Sequence, residues 1–178
     1  MSRNAEKTEY LQEHLSYELL MLRHTLTEIT KPHRILDWNA FLESFAVHAR
    51  NLYDFLTNSD DCRNFKAQDF INGFKAAKDD NTISMFLRLH SQVFHLGKSR
   101  PIEQAEKANV DHAKQVIAWI EKNFTTFISG LAIEYDSKWN SDNADPSKVM
   151  SSAKQQSTTS RRLPGFFDST PRHWHYGR

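Results

Sequence analysis

The sequence has few of the residues and segments by which several protein classes are recognised. It has one cysteine, Cys62, so no disulfide can form within it and no zinc site can be built from several thiolates. Its 23 basic and 22 acidic residues give a net charge of +1, so bulk charge predicts neither a nucleic-acid coat nor an acidic partner. Neither an apolar leader nor an apolar run as long as a membrane span is present. We therefore expect a soluble, cytoplasmic protein without a membrane partner.

Glycine and proline are also scarce, with five of each, and no segment shows the polar–apolar alternation of a half-buried strand. The apolar residues instead recur at steps of three and four, which is the spacing of helical stripes. We predict an all-α fold, an up-and-down bundle of four main helices with a disordered C-terminal tail. The predicted helical segments are residues 6–28, 37–57, 67–77, 82–97 and 102–138, with Asp37 as an N-cap and Gly97 as a C-terminal cap.

The composition changes after Trp139. Residues 140–160 are rich in Ser, Asn, Asp, Gln and Lys, and their few apolar groups cannot offset the entropy lost on ordering. Residues 161–178 then combine four arginines with four large aromatic residues. We predict a helical bundle domain over residues 1–138 and a flexible polar linker with a basic-aromatic tip over 139–178. The tip either contacts a protein or RNA partner or is a tail without function.

In the first predicted helix, Glu18 occupies a position where another apolar residue would continue the stripe of Leu11, Leu15 and Leu22. His14 lies one turn earlier. A buried carboxylate is costly unless a cation or several donors meet it. Glu18 is therefore either a base or orienting partner in a site between helices, or a member of a structural ion pair. We expect Glu18 to lie near His95.

The second predicted helix has a polar flank with Arg50 and Asp54 at the i,i+4 spacing of a surface ion pair. The simple interpretation is a solvated face. The alternative is that Arg50 binds an anion, which its planar and permanently charged guanidinium would suit.

The fourth predicted helix carries Arg88, His90 and His95. His90 lies on the apolar stripe of Ile83, Phe86, Leu87 and Phe94, which favours a core histidine, whereas Arg88 and His95 share a more polar flank. A histidine can act as a base near neutral pH, and an arginine can stabilise a phosphorane-like transition state without a metal. The chain contains no HExxH motif, glycine-rich phosphate loop or nucleophile elbow, so we predict neither a metal nor a cofactor.

The helices and the segment from Arg88 to His95 resemble the HEPN superfamily of α-helical bundles. Its signature is an Arg followed after four to six residues by a His, and six residues separate Arg88 from His95. The resemblance covers about residues 6–138 and implies a metal-independent ribonuclease of a bacterial defence or toxin–antitoxin system. It also implies a homodimer with the Arg and His of both subunits in one cleft. In a second register His90 takes the Arg position, and the resemblance then implies a non-catalytic member.

Two functions follow as alternatives. In the first, the chain acts on RNA, with His95 as the base, Arg88 as the phosphate ligand, and Glu18 or Arg50 in support. In the second, it is a non-enzymatic helical interaction module that binds a protein or nucleic-acid partner, with the C-terminal tail as a docking segment.

Overall fold

A computed structural model describes residues 3–58, 64–77, 79–93, 107–149 and 151 of the chain. The elements in chain order are α1 (Arg3–Glu9), a π-helical segment (Tyr10–Leu15), α2 (Ser16–Ile29), α3 (Ile35–Thr57), α4 (Ala67–Phe70), α5 (Asp80–Val93), α6 (Val110–Ser129), α7 (Ile133–Asp136) and a 3₁₀ turn (Ser141–Ala144). Within the described ranges there is no strand, so the prediction of an all-α helical bundle is confirmed.

Helices α2, α3 and α6 share one core, and α5 packs against α3 and α6. The stripes that predicted these helices supply its centre, because residues three and four apart lie on one helix face. Fully buried side chains come from α2, α3 and α6 and include Leu19, Leu22, Phe45, Leu52, Ile120 and Phe127. The first helix continues from α1 through the π-helical segment into α2, which agrees with the single long helix predicted for residues 6–28.

The second predicted helix is confirmed, but its N-terminus is not at Asp37. Helix α3 begins at Ile35, and Asp37 lies in its first turn, where its carboxylate accepts a hydrogen bond from Arg34 Nε at 2.8 Å. The prediction of Asp37 as N-cap is therefore wrong, since this carboxylate pairs with a side chain instead of capping backbone amides. Residues 94–106, including Gly97 and Pro101, lie outside the described residues.

The last predicted helix is shorter than its apolar stripe. Helix α6 begins at Val110, where the Asn109 side chain caps it by accepting from the backbone N–H of His112 at 3.0 Å. It ends at Ser129, next to Gly130, and α7 follows after a break at Ala132. The apolar pattern continues across this break because Leu131, which lies in the break, and Tyr135, which lies in α7, both pack against the core.

The predicted helix over residues 67–77 is also wrong beyond its first turn. Helix α4 ends at Phe70, and the chain then turns through Gly73, whose φ of +75° suits glycine. Tertiary hydrogen bonds hold the non-helical stretch that follows. The Asn123 side chain accepts from Ala77 N–H at 2.7 Å, and Trp119 Nε1 donates to Ala77 O at 2.9 Å. These contacts to α6 replace the helical hydrogen bonds.

Trp139 and the 3₁₀ turn Ser141–Ala144 pack against the bundle, so the predicted boundary at residue 138 falls inside the packed part of the chain. Ala144 is fully buried, and its carbonyl accepts a hydrogen bond from Arg23 Nη1 at 2.8 Å. The same guanidinium donates to both carboxylate oxygens of Glu121, at 2.6 and 2.8 Å. A polar segment can pack against the bundle in this way because an arginine of α2 donates a hydrogen bond to a backbone carbonyl of the segment. The tail beyond residue 151 lies outside the described residues.

Candidate functional site

The most organised polar group in the described chain lies between α2 and α3. One carboxylate oxygen of Glu18, Oε2, accepts a hydrogen bond from His48 Nδ1 at 2.7 Å and another from Asn51 Nδ2 at 3.1 Å. We refer to these three residues as the Glu18–His48 cluster. The side chain of His48 is 10% exposed and that of Glu18 is 22% exposed. The cluster therefore lies at the edge of the core, where it is shielded from solvent without being sealed from it.

Helical spacing brings these side chains together. Glu18 follows Leu15 by three residues and precedes Leu22 by four, and both leucines are buried. His48 has the same relation to Phe45 and Leu52 on α3. Each polar residue thus occupies a stripe position on the face that its helix turns towards the other. The two donors on α3 offset the cost of removing the Glu18 carboxylate from water.

Two tyrosines flank the cluster. Tyr10 lies in the π-helical segment, a rare geometry that is often found at functional sites. Burial of Tyr10, and after it the negative charge of Glu18, raises the pKa of its hydroxyl to about 12. On the other side, the ring of Tyr17 meets the ring of His48 edge-on at a centroid distance of 5.7 Å. Tyr10 is therefore a protonated phenol near the Glu18 carboxylate over the whole physiological pH range.

The Glu18–His48 contact favours one form of the imidazole. In the neutral ring it holds the proton on Nδ1 and leaves the lone pair on Nε2. No hydrogen bond from the described part of the chain reaches Nε2. A carboxylate that fixes the tautomer in this way also stabilises the imidazolium once the ring accepts a proton. The arrangement is therefore suited to a general base with Nε2 as the basic atom.

Glu18 lies between α2 and α3, where its described partners are His48 and Asn51. The described carboxylate contacts go to α3, and His95 lies outside the described residues, so proximity of Glu18 to His95 stays a prediction. His14 is exposed, and its ring lies 5.8 Å from that of Tyr10.

The predicted Arg50–Asp54 pair is present on α3, with Arg50 Nε 3.5 Å from Asp54 Oδ2. Both side chains are about half exposed, so the pair contributes little to stability. They lie on a different flank of α3 from His48, the flank that faces α5. The structure therefore does not bring Arg50 into the Glu18–His48 cluster.

Helix α5 places Arg88 on its exposed side. Burial of His112 in α6 lowers the pKa of its imidazole, and the positive charge of nearby Arg88 lowers this pKa further. The Nδ1 atom of His112 is buried, and no hydrogen bond from the described residues reaches it. His90 belongs to α5, but its side chain lies outside the described part of the chain, as does all of His95. The predicted pairing of Arg88 with His95 therefore stays a prediction.

The predicted apolar stripe of α5 needs one correction. Leu87 is 64% exposed, whereas Leu89 is 2% exposed, so the packing face runs through Phe86 and Leu89. The reason is the direction from which α6 approaches, since Phe86 packs on Trp119 at a centroid distance of 5.9 Å. Leu87 instead lies at the surface, beside α3.

Between α3 and α5 the surface opens into a mainly apolar cavity of about 190 Å³, which we call the α3–α5 groove. Its lining comes from both helices: Ala46, Ala49, Arg50, Tyr53, Asp54, Ile83, Phe86, Leu87 and Leu89. Arg50 and Asp54 supply its charged atoms. The groove is thus an apolar depression beside one ion pair.

Sequence reasoning missed His48 and Asn51 as partners of Glu18. A signal for His48 was available, because it interrupts the stripe of α3 as Glu18 interrupts that of α2. Two such interruptions on neighbouring helices predict a buried polar contact. Asn51 and the proximity of Arg88 to His112 carried no comparable signal.

Within residues 3–58, 64–77, 79–93 and 107–149, no three His, Cys, Asp or Glu side chains are arranged to hold a metal ion. Among the same residues, every helix is too short or too polar to cross a membrane. Comparison of the chain with protein-family models, with curated proteins and with solved structures finds no match. A proposal for the function of this chain therefore rests on the geometry of the Glu18–His48 cluster and of the α3–α5 groove.

Proposed function

We propose that this chain is a HEPN-like helical protein that cleaves single-stranded RNA without a divalent metal, in a bacterial defence or toxin–antitoxin setting. The observation that supports the chemistry is the 2.7 Å hydrogen bond from His48 Nδ1 to Glu18. It supplies what metal-independent cleavage of RNA requires first, an oriented imidazole with a carboxylate behind it.

In the proposed reaction, His48 Nε2 takes the proton of a ribose 2′-hydroxyl, and the 2′-oxygen attacks the adjacent phosphorus. The bond from phosphorus to the 5′-oxygen breaks, and that oxygen takes a proton in exchange for the one His48 accepted, so that the imidazolium returns to the neutral ring. The products are a 2′,3′-cyclic phosphate and a 5′-hydroxyl end, so no water, metal or cofactor is consumed. Glu18 stabilises the imidazolium that forms.

A cation must also offset the charge that develops on the phosphate. Arg88 has this role in the HEPN resemblance, and its exposed position on α5 leaves it accessible to a strand of RNA. Because α5 faces a different flank of α3 from His48, we expect Arg88 of the partner subunit to supply this charge, in the homodimer that the resemblance implies. The resemblance also makes His95 the alternative base, and the experiment must distinguish His95 from His48.

The test is cleavage of single-stranded RNA by the full chain in EDTA. His48→Gln should lower the rate by about 10²- to 10⁴-fold, the usual contribution of a general base. Glu18→Gln should lower it less, and Arg88→Ala strongly. His14→Gln is the matched control, because His14 is exposed on the same helix as Glu18. Loss of activity in His95→Ala with His48→Gln unaffected would make His95 the base.

Two further outcomes would reject the proposal. Cleavage that requires a divalent cation would assign the reaction to a metal. Absence of cleavage under all conditions would favour the second candidate, a non-enzymatic helical interaction module. That candidate is supported by the α3–α5 groove, whose apolar lining includes Leu87, a leucine that is 64% exposed. Light scattering of the full chain measures the proposed dimer independently of either function.

A further inference from the structure

We propose that the α3–α5 groove is a docking site for the chain's own C-terminal segment, with the Phe166–Phe167 pair inserting a ring between α3 and α5. This contact is independent of the proposed nuclease activity. It assigns an occupant to the apolar surface of the groove and a role to the basic-aromatic tip.

The size and chemistry of the groove fit a phenyl ring. Its volume is about 190 Å³, and a dry apolar cavity of about 150 Å³ is large enough to bind benzene. Its wall is formed by Ile83, Phe86 and Leu87 on one side and by small alanines and the ring of Tyr53 on the other. Apolar side chains of this kind are the ordinary receptors of an aromatic anchor.

The length of chain outside the structure allows the contact. The described residues end at residue 151, and Phe166 follows 15 positions later. At about 3.3 Å per extended residue these positions span about 50 Å. A domain of this size has a radius of gyration of about 15 Å, so most of its surface is within reach. Tethering also raises the local concentration of the tip to the millimolar range, so a weak contact is sufficient.

The docking segment and the rim of the groove each carry a positive and a negative side chain. Arg162 precedes the two phenylalanines and Asp168 follows them. The groove is edged by Asp54 and Arg50, which lie one helical turn apart on α3. A segment whose aromatic pair lies between a cation and an anion can therefore place each charge beside the opposite charge of the rim.

The test uses the full chain with Cys62→Ser and two introduced cysteines. Ser84 is exposed one turn before Leu87 on α5, and Ser169 follows the aromatic pair by two residues. Ser84→Cys with Ser169→Cys should form an intramolecular disulfide under mild oxidation. The matched control is Ser137→Cys with Ser169→Cys. Ser137 is also exposed, but it lies beyond the far end of α6 and is nearer to the tip in sequence.

A free tether favours the control pair, because fewer residues separate its two cysteines. Docking should reverse this order and make the pair from α5 cross-link about tenfold faster. Phe166→Ala with Phe167→Ala should then remove the advantage. Equal rates, or rates that this double variant leaves unchanged, would overturn the proposal. So would disulfides that join two chains on a non-reducing gel, which would assign the groove to a second copy. Salt-sensitive RNA binding by the tip, without preferential cross-linking to α5, would assign the tip to RNA and equally reject docking.

Discussion

The substitution Glu18→Ala offers the sharpest check on the candidate site, because its cost follows from two hydrogen bonds with different surroundings. It removes the acceptor of both His48 Nδ1 and Asn51 Nδ2. The Asn51 side chain is exposed, so its amide can bond to water instead at little cost. The His48 side chain is only 10% exposed, so its N–H cannot be rehydrated without opening the interface of α2 and α3.

The magnitude therefore depends mainly on His48. A hydrogen bond to a charged group contributes about 1.5–3 kcal/mol, and leaving a shielded donor without a partner costs a similar amount. We expect Glu18→Ala to lower the free energy of unfolding by about 1.5–3 kcal/mol. For a chain of this size each kcal/mol shifts Tm by about 2–4 °C, so Tm should fall by about 3–12 °C.

Urea denaturation followed by far-UV circular dichroism measures this change. Glu13→Ala is the matched control, since Glu13 is exposed in the same helix and should cost less than about 0.5 kcal/mol. A double-mutant cycle with His48→Gln should show coupling of at least about 0.5 kcal/mol. If Glu18→Ala is as stable as Glu13→Ala, the carboxylate is not held by His48 and the proposed orientation of the imidazole is wrong.

Three other predictions concern groups around the core. The pKa of Tyr10 is about 12 in the folded chain against an ordinary value of 10.0. The contribution of the protonated phenol to the free energy of unfolding is therefore fully present below pH 10 and is lost as the pH rises through 12. Tyr10→Phe should remove up to about 3 kcal/mol of the alkaline loss of stability, measured by urea titrations at pH 9 and 12; an unchanged loss would contradict the shift. Asn123→Ala should cost about 1–3 kcal/mol, because it orphans Ala77 N–H; a thermal melt equal to that of the parent would count against that bond. Gly73→Ala should cost about 1–2 kcal/mol by calorimetry through its φ of +75° alone, since no atom of the described residues lies within 4 Å of an added Cβ, and a neutral result would argue against that φ.

Periodicity in the sequence was enough to predict the long helices α2 and α3 and the faces that they bury. The stripes of α2 and α3 belong to this class, because a helical face is a local property of residues three and four apart. Glu18 was identifiable for the same reason, since a carboxylate within such a stripe is visible without any knowledge of the neighbouring helix. The exposed pair of Arg50 and Asp54 also followed from spacing alone.

Helix ends and contacts between helices depended on groups distant in sequence. Residues 74–77 are not helical because Asn123 and Trp119 form hydrogen bonds with Ala77, and the segment around Ala144 docks because Arg23 donates to its carbonyl. Composition cannot reveal such contacts, because a polar segment and a docked polar segment can have the same residues. The partner of Glu18 belongs to this second class: the sequence placed its carboxylate on a buried face, and only the packing of α2 on α3 decided that His48 and Asn51 would meet it.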